Sequence, residues 1–400
     1  MNPIALFEVD LADVPRELSA TSEHHSARVL AFEHGLPLGW LELELVDGKL
    51  GGHVVLAAAE CSLADERCAA RELASSAGDC SAAGEPGLTV AICTHERPQH
   101  LDDCLTALGQ QTLPGLSVLV VDNAPRSERT REVAARHPRV RYVREDRQGL
   151  DFARNRALTE CTTPLLAYVD DDTVPHRAWA QGVAGAFRVD PEAVAVTGPV
   201  VPFSLETPAE LHFENHGGFN RGFWPQRFAR QSFGHEFQLH LTGKCGAGCN
   251  MAFRREFLQG IGGFDASLDV GARLPGGGDL DAFSRTLRAG GLIVYEPKAL
   301  LRHRHRTELA ALRSQFFNWG RGYTAALTAT FVDEPALRAN VVRAGLWWLL
   351  GYQLRQRLLG RLLGRNRTRV SFILLEILGG VVGPWTLLST RRYVRRCRAR

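Results

Sequence analysis

The stretch Pro164-Leu-Leu-Ala-Tyr-Val-Asp-Asp-Asp-Thr-Val-Pro175 decides how this chain of 400 residues is read. Its apolar half predicts a buried strand, and the strand stops abruptly at three carboxylates, Asp170, Asp171 and Asp172. In open α/β sheets, ligands bind beyond the carboxyl ends of the strands. Carboxylates crowded at such an edge repel one another unless a cation neutralises them, and hard oxygen donors suit Mn²⁺ or Mg²⁺. The plainer alternative is an acidic turn that caps the following helix, with Asp172 or Thr173 as N-cap.

Upstream, short apolar runs alternate with helical patterns. Leu88–Cys93, Ser117–Val121 and Val140–Val143 read as strands, and 98–111, 128–137 and 152–159 as helices. This alternation predicts an α/β fold with a mostly parallel sheet flanked by helices. Val121 is followed by Asp122 just as Val169 is followed by Asp170, so both aspartates are expected at one sheet edge. Further upstream, Val29–Phe32 and Trp40–Leu45 flank His34-Gly-Leu-Pro37, a strand, turn, strand signal for a small β-containing N-terminal module. A helix and an Ala83-Gly-Glu-Pro-Gly87 linker are expected to follow it. Downstream, 280–289 reads as a helix, Leu292–Tyr295 as a strand, and the chain past Arg306 as helical.

Composition is that of a globular protein, 45% hydrophobic and 23% charged, with a net charge of only +3. The charge is unevenly placed: Val341–Arg400 holds thirteen arginines and one glutamate, so the remainder is acidic. The first residues show neither a basic nor an apolar signal region, and the nine cysteines are an odd count. The expectation is reduced thiols in a cytoplasmic protein. Cys245 and Cys249 lack partners at zinc-site spacing and read as small buried residues. Lys244 is followed by Cys245 rather than Ser or Thr, which excludes a P-loop, and no G-x-G-x-x-G follows the first strand. His212, His216, His235 and His240 show no ligand spacing.

Six segments in order resemble a family 2 glycosyltransferase of GT-A fold, over about residues 88 to 306. They are Val90-Ala-Ile-Cys-Thr-His-Glu-Arg-Pro98, Val120-Val-Asp-Asn123, Gly149-Leu-Asp-Phe-Ala-Arg-Asn155, the Asp170–Asp172 triplet, Gly246-Ala-Gly-Cys-Asn-Met-Ala-Phe-Arg-Arg255 with Gly262-Gly-Phe-Asp265, and Gly278-Asp-Leu-Asp-Ala-Phe-Ser-Arg285. The resemblance implies a metal-dependent, inverting transfer of a sugar from a nucleoside diphosphate, UDP or dTDP, to a hydroxyl of a glycan, lipid-linked or small-molecule acceptor.

The resemblance also assigns roles. Asp172 is implied as metal ligand, with Asp170 on ribose or metal and Asp171 nearby. Thr94, Glu96, Arg97, Asp122 and Asn123 are implied on the nucleotide side, and Arg154 at the diphosphate or, equally, as surface charge. Many relatives carry a second aspartate where Asn123 stands. Asp279 matches the catalytic base, with Asp281 the alternate. Spacing assigns Asp281 to an ion pair with Arg285 four positions on. His303, with His305 as alternate, is implied on the metal or diphosphate, against a solvated basic loop. Asn155 is expected to order its loop, and Phe219, Phe223 and Trp224 either stack on an acceptor or pack a loop.

The tail joins arginines to Leu, Trp and Ile. Helices lying on an anionic leaflet, at the inner face of the cell membrane, are preferred over a soluble helical pair or a true span at 370–389. Nucleic acid is not an expected partner, because stacking residues are not spaced along the tail. The predicted divisions are 1–86, 87–310 and 311–400. A nucleotidyl- or phosphotransferase is the alternative activity, since it also needs carboxylates and Mg²⁺.

Overall fold

The computed structural model describes residues 2–76, 87–364, 366 and 368–398. Most of the expected linker, 83–86, lies outside them. The N-terminal part comprises β1 (Ile4–Asp10), β2 (Glu17–Ser19), β3 (Ser26–Glu33), β4 (Leu36–Glu44), β5 (Lys49–Gly51), α1 (Gly52–Ser62) and α2 (Ala64–Ser76). β3 and β4 form the expected hairpin. His34 and Gly35 at its tip both have positive φ, 52° and 73°, the conformation a two-residue hairpin turn demands. β1 adds to β3 in parallel, a pairing that local sequence could not announce.

The alternation after Gly87 is realised as β6 (Leu88–Thr94), α3 (Pro98–Gly109), β7 (Ser117–Asn123), α4 (Arg129–Ala135), β8 (Val140–Glu145), α5 (Leu150–Glu160) and β9 (Leu165–Asp170). There follow β10 (Thr173–Pro175), α6 (Trp179–Val189), β11 (Ala193–Thr197), β12 (Val200–Pro202), α7 (Pro208–Asn215) and β13 (Gln226–Phe228). Then come β14 (Asn250–Arg254), α8 (Arg255–Gly260), α9 (Gly278–Arg288), β15 (Leu292–Tyr295) and β16 (Leu301–His303). Eight strands make one sheet in the order β13-β15-β11-β14-β9-β6-β7-β8. Only β13 and β14 run against the others.

Both faces of this sheet are covered, so its strands are apolar on both sides. Leu88, Val90 and Ile92 pack on one face with Trp179 and Leu101; Ala91, Leu119 and Val121 pack on the other with Tyr168 and Phe253. That double burial is why β6 and β9 are continuous apolar runs. This is the α/β arrangement, a mostly parallel sheet flanked by helices, that the sequence leads one to expect. A second sheet, β10-β16-β12, is small but decisive for the site, because its register sets Thr173 opposite His303.

The C-terminal part is helical: α10 (Leu309–Asp333), α11 (Arg338–Leu346), a run of π turns (Trp347–Leu359), α12 (Gly360–Leu362) and α13 (Val370–Arg398). α13 crosses α10 backbone to backbone. A Cβ on Gly320 would stand 1.8 Å from the Glu376 carbonyl oxygen, and one on Gly379 would stand 1.9 Å from that of Phe317. Glu376 faces inward, where Gln353 donates to it at 2.7 Å and Arg357 pairs with it. The features that interrupt this apolar helix in sequence are therefore its docking face.

Candidate active site

Parallel register brings the carboxyl ends of three strands level, with Thr94 beside Asp122 and Cys93 beside Asp170. Asp122 is fully buried; Tyr142 donates its hydroxyl to Oδ2 at 2.8 Å, and Oδ1 has no hydrogen-bond partner. Burial pushes the Asp122 carboxyl up, with the Tyr142 hydroxyl opposing. A buried, half-satisfied carboxylate at a sheet edge is a group arranged to meet a donor from outside the chain.

Asn123 does not share that freedom. Its Nδ2 donates to Arg147 O at 2.8 Å and its Oδ1 accepts from Gly149 N at 2.9 Å. The Asn123 amide thereby ties the loop that launches α5. Glu96, at φ 55°, is similarly occupied, accepting from the Arg126 and Ser127 amides at 2.7 and 3.1 Å.

The triplet is partly neutralised from within. Thr94 donates to Asp171 at 2.7 Å, and Arg97 Nη1 stands 3.1 Å from both Asp171 and Asp172. Asp170 has no such partner; burial, with Asp172 next to it, pushes its carboxyl up to about 7. Asp172 Oδ1 is buried without a hydrogen-bond partner and faces His303 Nε2 at 3.4 Å. Burial pushes His303 down to about 4, so its imidazole is neutral near pH 7. A carboxylate oxygen and an imidazole nitrogen aimed at one gap suit a divalent ion. Among the described residues no set of three His, Cys, Asp or Glu encloses such an ion. Asp172 and His303 would hold such an ion only together with ligands supplied from outside these side chains.

His303 is not part of a solvated loop. Arg304 N donates to Asp172 O at 2.9 Å, which closes β16 onto the triplet. His305 turns the other way, to Glu214 Oε1 at 2.9 Å.

Arg154 is buried and pairs with Asp151 at 2.9 Å and Asp269 at 3.4 Å, which removes the surface-charge alternative. Asp269 in turn accepts from the amides of Gly276 and Gly278. Asp151 and Asp269 went unremarked in the sequence. The Gly149–Asn155 element thus braces the entry to α9, and Asn155 orders its loop by bonding both the N and the O of Phe264 at 2.8 Å.

On α9, Asp279 is half-buried and accepts from Gly248 N and Leu280 N, each at 2.9 Å. Asp281 is buried and receives Arg285 Nε at 2.7 Å. The two face apart, as residues two positions apart on a helix must. Burial pushes the Cys249 thiol far up, and the charges of Asp170, Asp172 and Asp279 add to the effect. Phe219 lies against His303, with ring centroids 5.2 Å apart, and Trp224 is exposed.

Residues 89–262 match the family described as Glycosyl transferase family 2. Over that stretch the chain is similar to the glycosyltransferases of that family. It is 28% identical, over 60% of its length, to the pre-mycofactocin glycosyltransferase of Mycobacterium tuberculosis, and spans 48% of that protein. It is 23% identical to the glycosyltransferase AglE of Haloferax volcanii, over 67% of this chain and 81% of that one. Among solved structures it is similar to a mannosyltransferase, PcManGT from Pyrobaculum calidifontis, in complex with GDP-Man and Mn²⁺, at 18% identity and a TM-score of 0.49, covering 75% and 88% of the two chains. The chain spans about half the length of the mycobacterial relative it matches.

Proposed function

We propose that this chain moves a sugar from a nucleoside diphosphate to an acceptor hydroxyl with inversion, in a metal-dependent reaction. The observation that carries the reading is the level ending of three strands, which sets Asp122 beside Thr94 and Asp170 beside Cys93, with Asp172 facing His303 at 3.4 Å.

In this reading the free Asp122 Oδ1 accepts from the nucleobase, UDP or dTDP being the donors considered first. Asp170 meets ribose or metal, while Asp172 and His303 hold Mn²⁺ or Mg²⁺. That ion offsets the negative charge gathering on the departing diphosphate. Thr94 and Arg97 hold Asp171 and Asp172 in place, so the triplet keeps one geometry. Asp279 takes the acceptor proton. The Gly248 and Leu280 amides fix the direction of its carboxylate, and its partial exposure leaves it reachable, whereas Asp281 is taken by Arg285.

We place the transfer chemistry in 87–310, with 1–86 and 311–400 as supporting parts. The outward face of α13, with Val370, Leu374, Leu378, Val381, Trp385 and Leu388 exposed, supports peripheral contact with an anionic cytoplasmic leaflet and a lipid-linked acceptor. The helix is long and apolar enough to cross a membrane by length and composition, yet 39% of its apolar window is buried in the protein, which favours lying over spanning.

The test is incubation with UDP-, dTDP- and GDP-sugars in Mn²⁺, Mg²⁺ or EDTA, with acceptor extracts. Free nucleoside diphosphate released with acceptor and abolished by EDTA supports the proposal; pyrophosphate release identifies a nucleotidyltransferase instead.

A further inference from the structure

Four side chains form a line that no sequence motif contains. Glu214, the penultimate residue of α7, receives His305 Nε2 at 2.9 Å. His305 Nδ1 meets His303 Nδ1 at 3.1 Å, and His303 Nε2 faces Asp172 Oδ1 at 3.4 Å. The line is walled by aromatic rings: the Phe213 and His305 centroids are 4.4 Å apart, and those of Phe219 and His303 5.2 Å. Buried polar atoms in such a place must be satisfied by one another.

Proton bookkeeping then follows from the fixed end. A carboxylate only accepts, so His305 Nε2 carries a proton. Two facing Nδ1 atoms at hydrogen-bond distance need one proton between them. When His305 is a neutral imidazole its Nδ1 is the bare one, so His303 Nδ1 donates. Neutral His303 then has a bare Nε2. Two bare acceptors, His303 Nε2 and Asp172 Oδ1, face each other across 3.4 Å, and the Asp172 oxygen has no other partner.

From this geometry we infer that Glu214, acting through His305, sets the tautomer of His303 so that Nε2 is presented bare to a divalent cation beside Asp172. Glu214 is a positioning residue and touches neither metal nor substrate. The inference rests on the metal site proposed above and adds what determines its nitrogen ligand. It also gives the N-terminal sheet a place in the site, since Arg28 of β3 stands 3.8 Å from the second Glu214 oxygen and is itself held by Glu42 at 2.8 Å.

The experiment uses full-length protein labelled with ¹⁵N-histidine, with His303 assigned by its absence in His303→Gln. Metal-free wild type is expected to show Nδ1 protonated and Nε2 bare at His303. Glu214→Ala is expected to show mixed tautomers and a Mn²⁺ dissociation constant, read by electron paramagnetic resonance with UDP present, weaker by about 10- to 100-fold. Glu214→Gln keeps an acceptor oxygen and is expected to stay near wild type on both readouts, which separates a lost hydrogen bond from a lost fold. A protonated His303 Nε2 in the wild type, or unchanged Mn²⁺ affinity in a folded Glu214→Ala, overturns the inference. Neither readout needs turnover, so failure to transfer sugar and failure of this relay are separate results.

Discussion

Gly248 donates its amide hydrogen to Asp279 Oδ2 at 2.9 Å, and the place where a Gly248 side chain would stand is filled by Asp279 itself, whose Cβ would be 2.8 Å away. The loop before β14 and the start of α9 are thus fitted to each other at the carboxylate proposed as base. Gly248→Ala is expected to displace Asp279 and lower kcat by about 10²-fold or more, the scale of a lost general base, with donor affinity held. Asp279→Asn is expected to do the same. Isothermal titration with the donor, set beside initial rates, separates the two effects; equal loss of binding and turnover contradicts the role of Asp279.

Arg154 balances two buried aspartates. Burial raises the Asp151 and Asp269 carboxyls, while the Arg154 guanidinium pulls them down. Arg154→Met removes the only cation paired with them among the described residues and is expected to destabilise the fold by about 3–5 kcal/mol, the usual result of leaving buried charge uncompensated. Urea unfolding measures it. A loss of transfer with unchanged stability would instead place Arg154 on the diphosphate.

Acid is expected to weaken the fold through two histidines outside the site, His240 buried and His216 half-buried. Burial lowers His216 to about 3, with Arg357 adding to the effect, and His240 to about 4, with Arg288 adding. Below the ordinary histidine range near 6.5 the unfolded chain takes up protons that the folded chain refuses. Stability is therefore expected to fall as pH drops from about 6.5 toward 4, by roughly 1.4 kcal/mol per pH unit for each group. His216 packs edge-on to Phe316 at 4.7 Å, so His216→Phe is expected to flatten this slope in urea titrations across the same range.

The outward face of α13 is expected to bind anionic vesicles. Trp385, 68% exposed, and Leu378, 54% exposed, share that face, so Leu378→Glu with Trp385→Glu is expected to abolish flotation with phosphatidylglycerol vesicles while leaving the thermal midpoint near wild type. Flotation by the double variant equal to the wild type contradicts the membrane reading.

Much of this was legible in residues. β6, β7, β8 and β9 are visible as apolar runs because a parallel sheet covered on both faces leaves no polar side to its strands. Asp122 and the triplet are visible because each follows such a run. What could not be read is distance. β14 is five residues entered from a glycine loop, and nothing local shows that it runs antiparallel in the middle of the sheet, where the Asn250 side chain receives Trp179 Nε1 at 2.9 Å. Nor does the sequence show that the Asn123 amide ties Arg147 and Gly149 to the end of β7. Glu214 closes the short helix α7 and Asp269 lies in a loop, and their meeting with His305 and Arg154 depends on the whole fold. Arg154 shows the same limit, since a charged residue on an amphipathic helix gives no sign that its face is covered.

The glycines of α10 set a distance as well as a packing. Gly322 touches the backbone of Gly276 and Gly277, just before Asp279, while Gly320, two residues earlier on the opposite side of α10, touches the backbone of α13 at Glu376. No side chain intervenes at either joint to act as a cushion. The outward face of α13 and the carboxylate of Asp279 are therefore separated by a stack of main chains of set thickness. On a surface where α13 settled as proposed, the proposed base would stand at one height above it, and that height would select which acceptor hydroxyls come within reach.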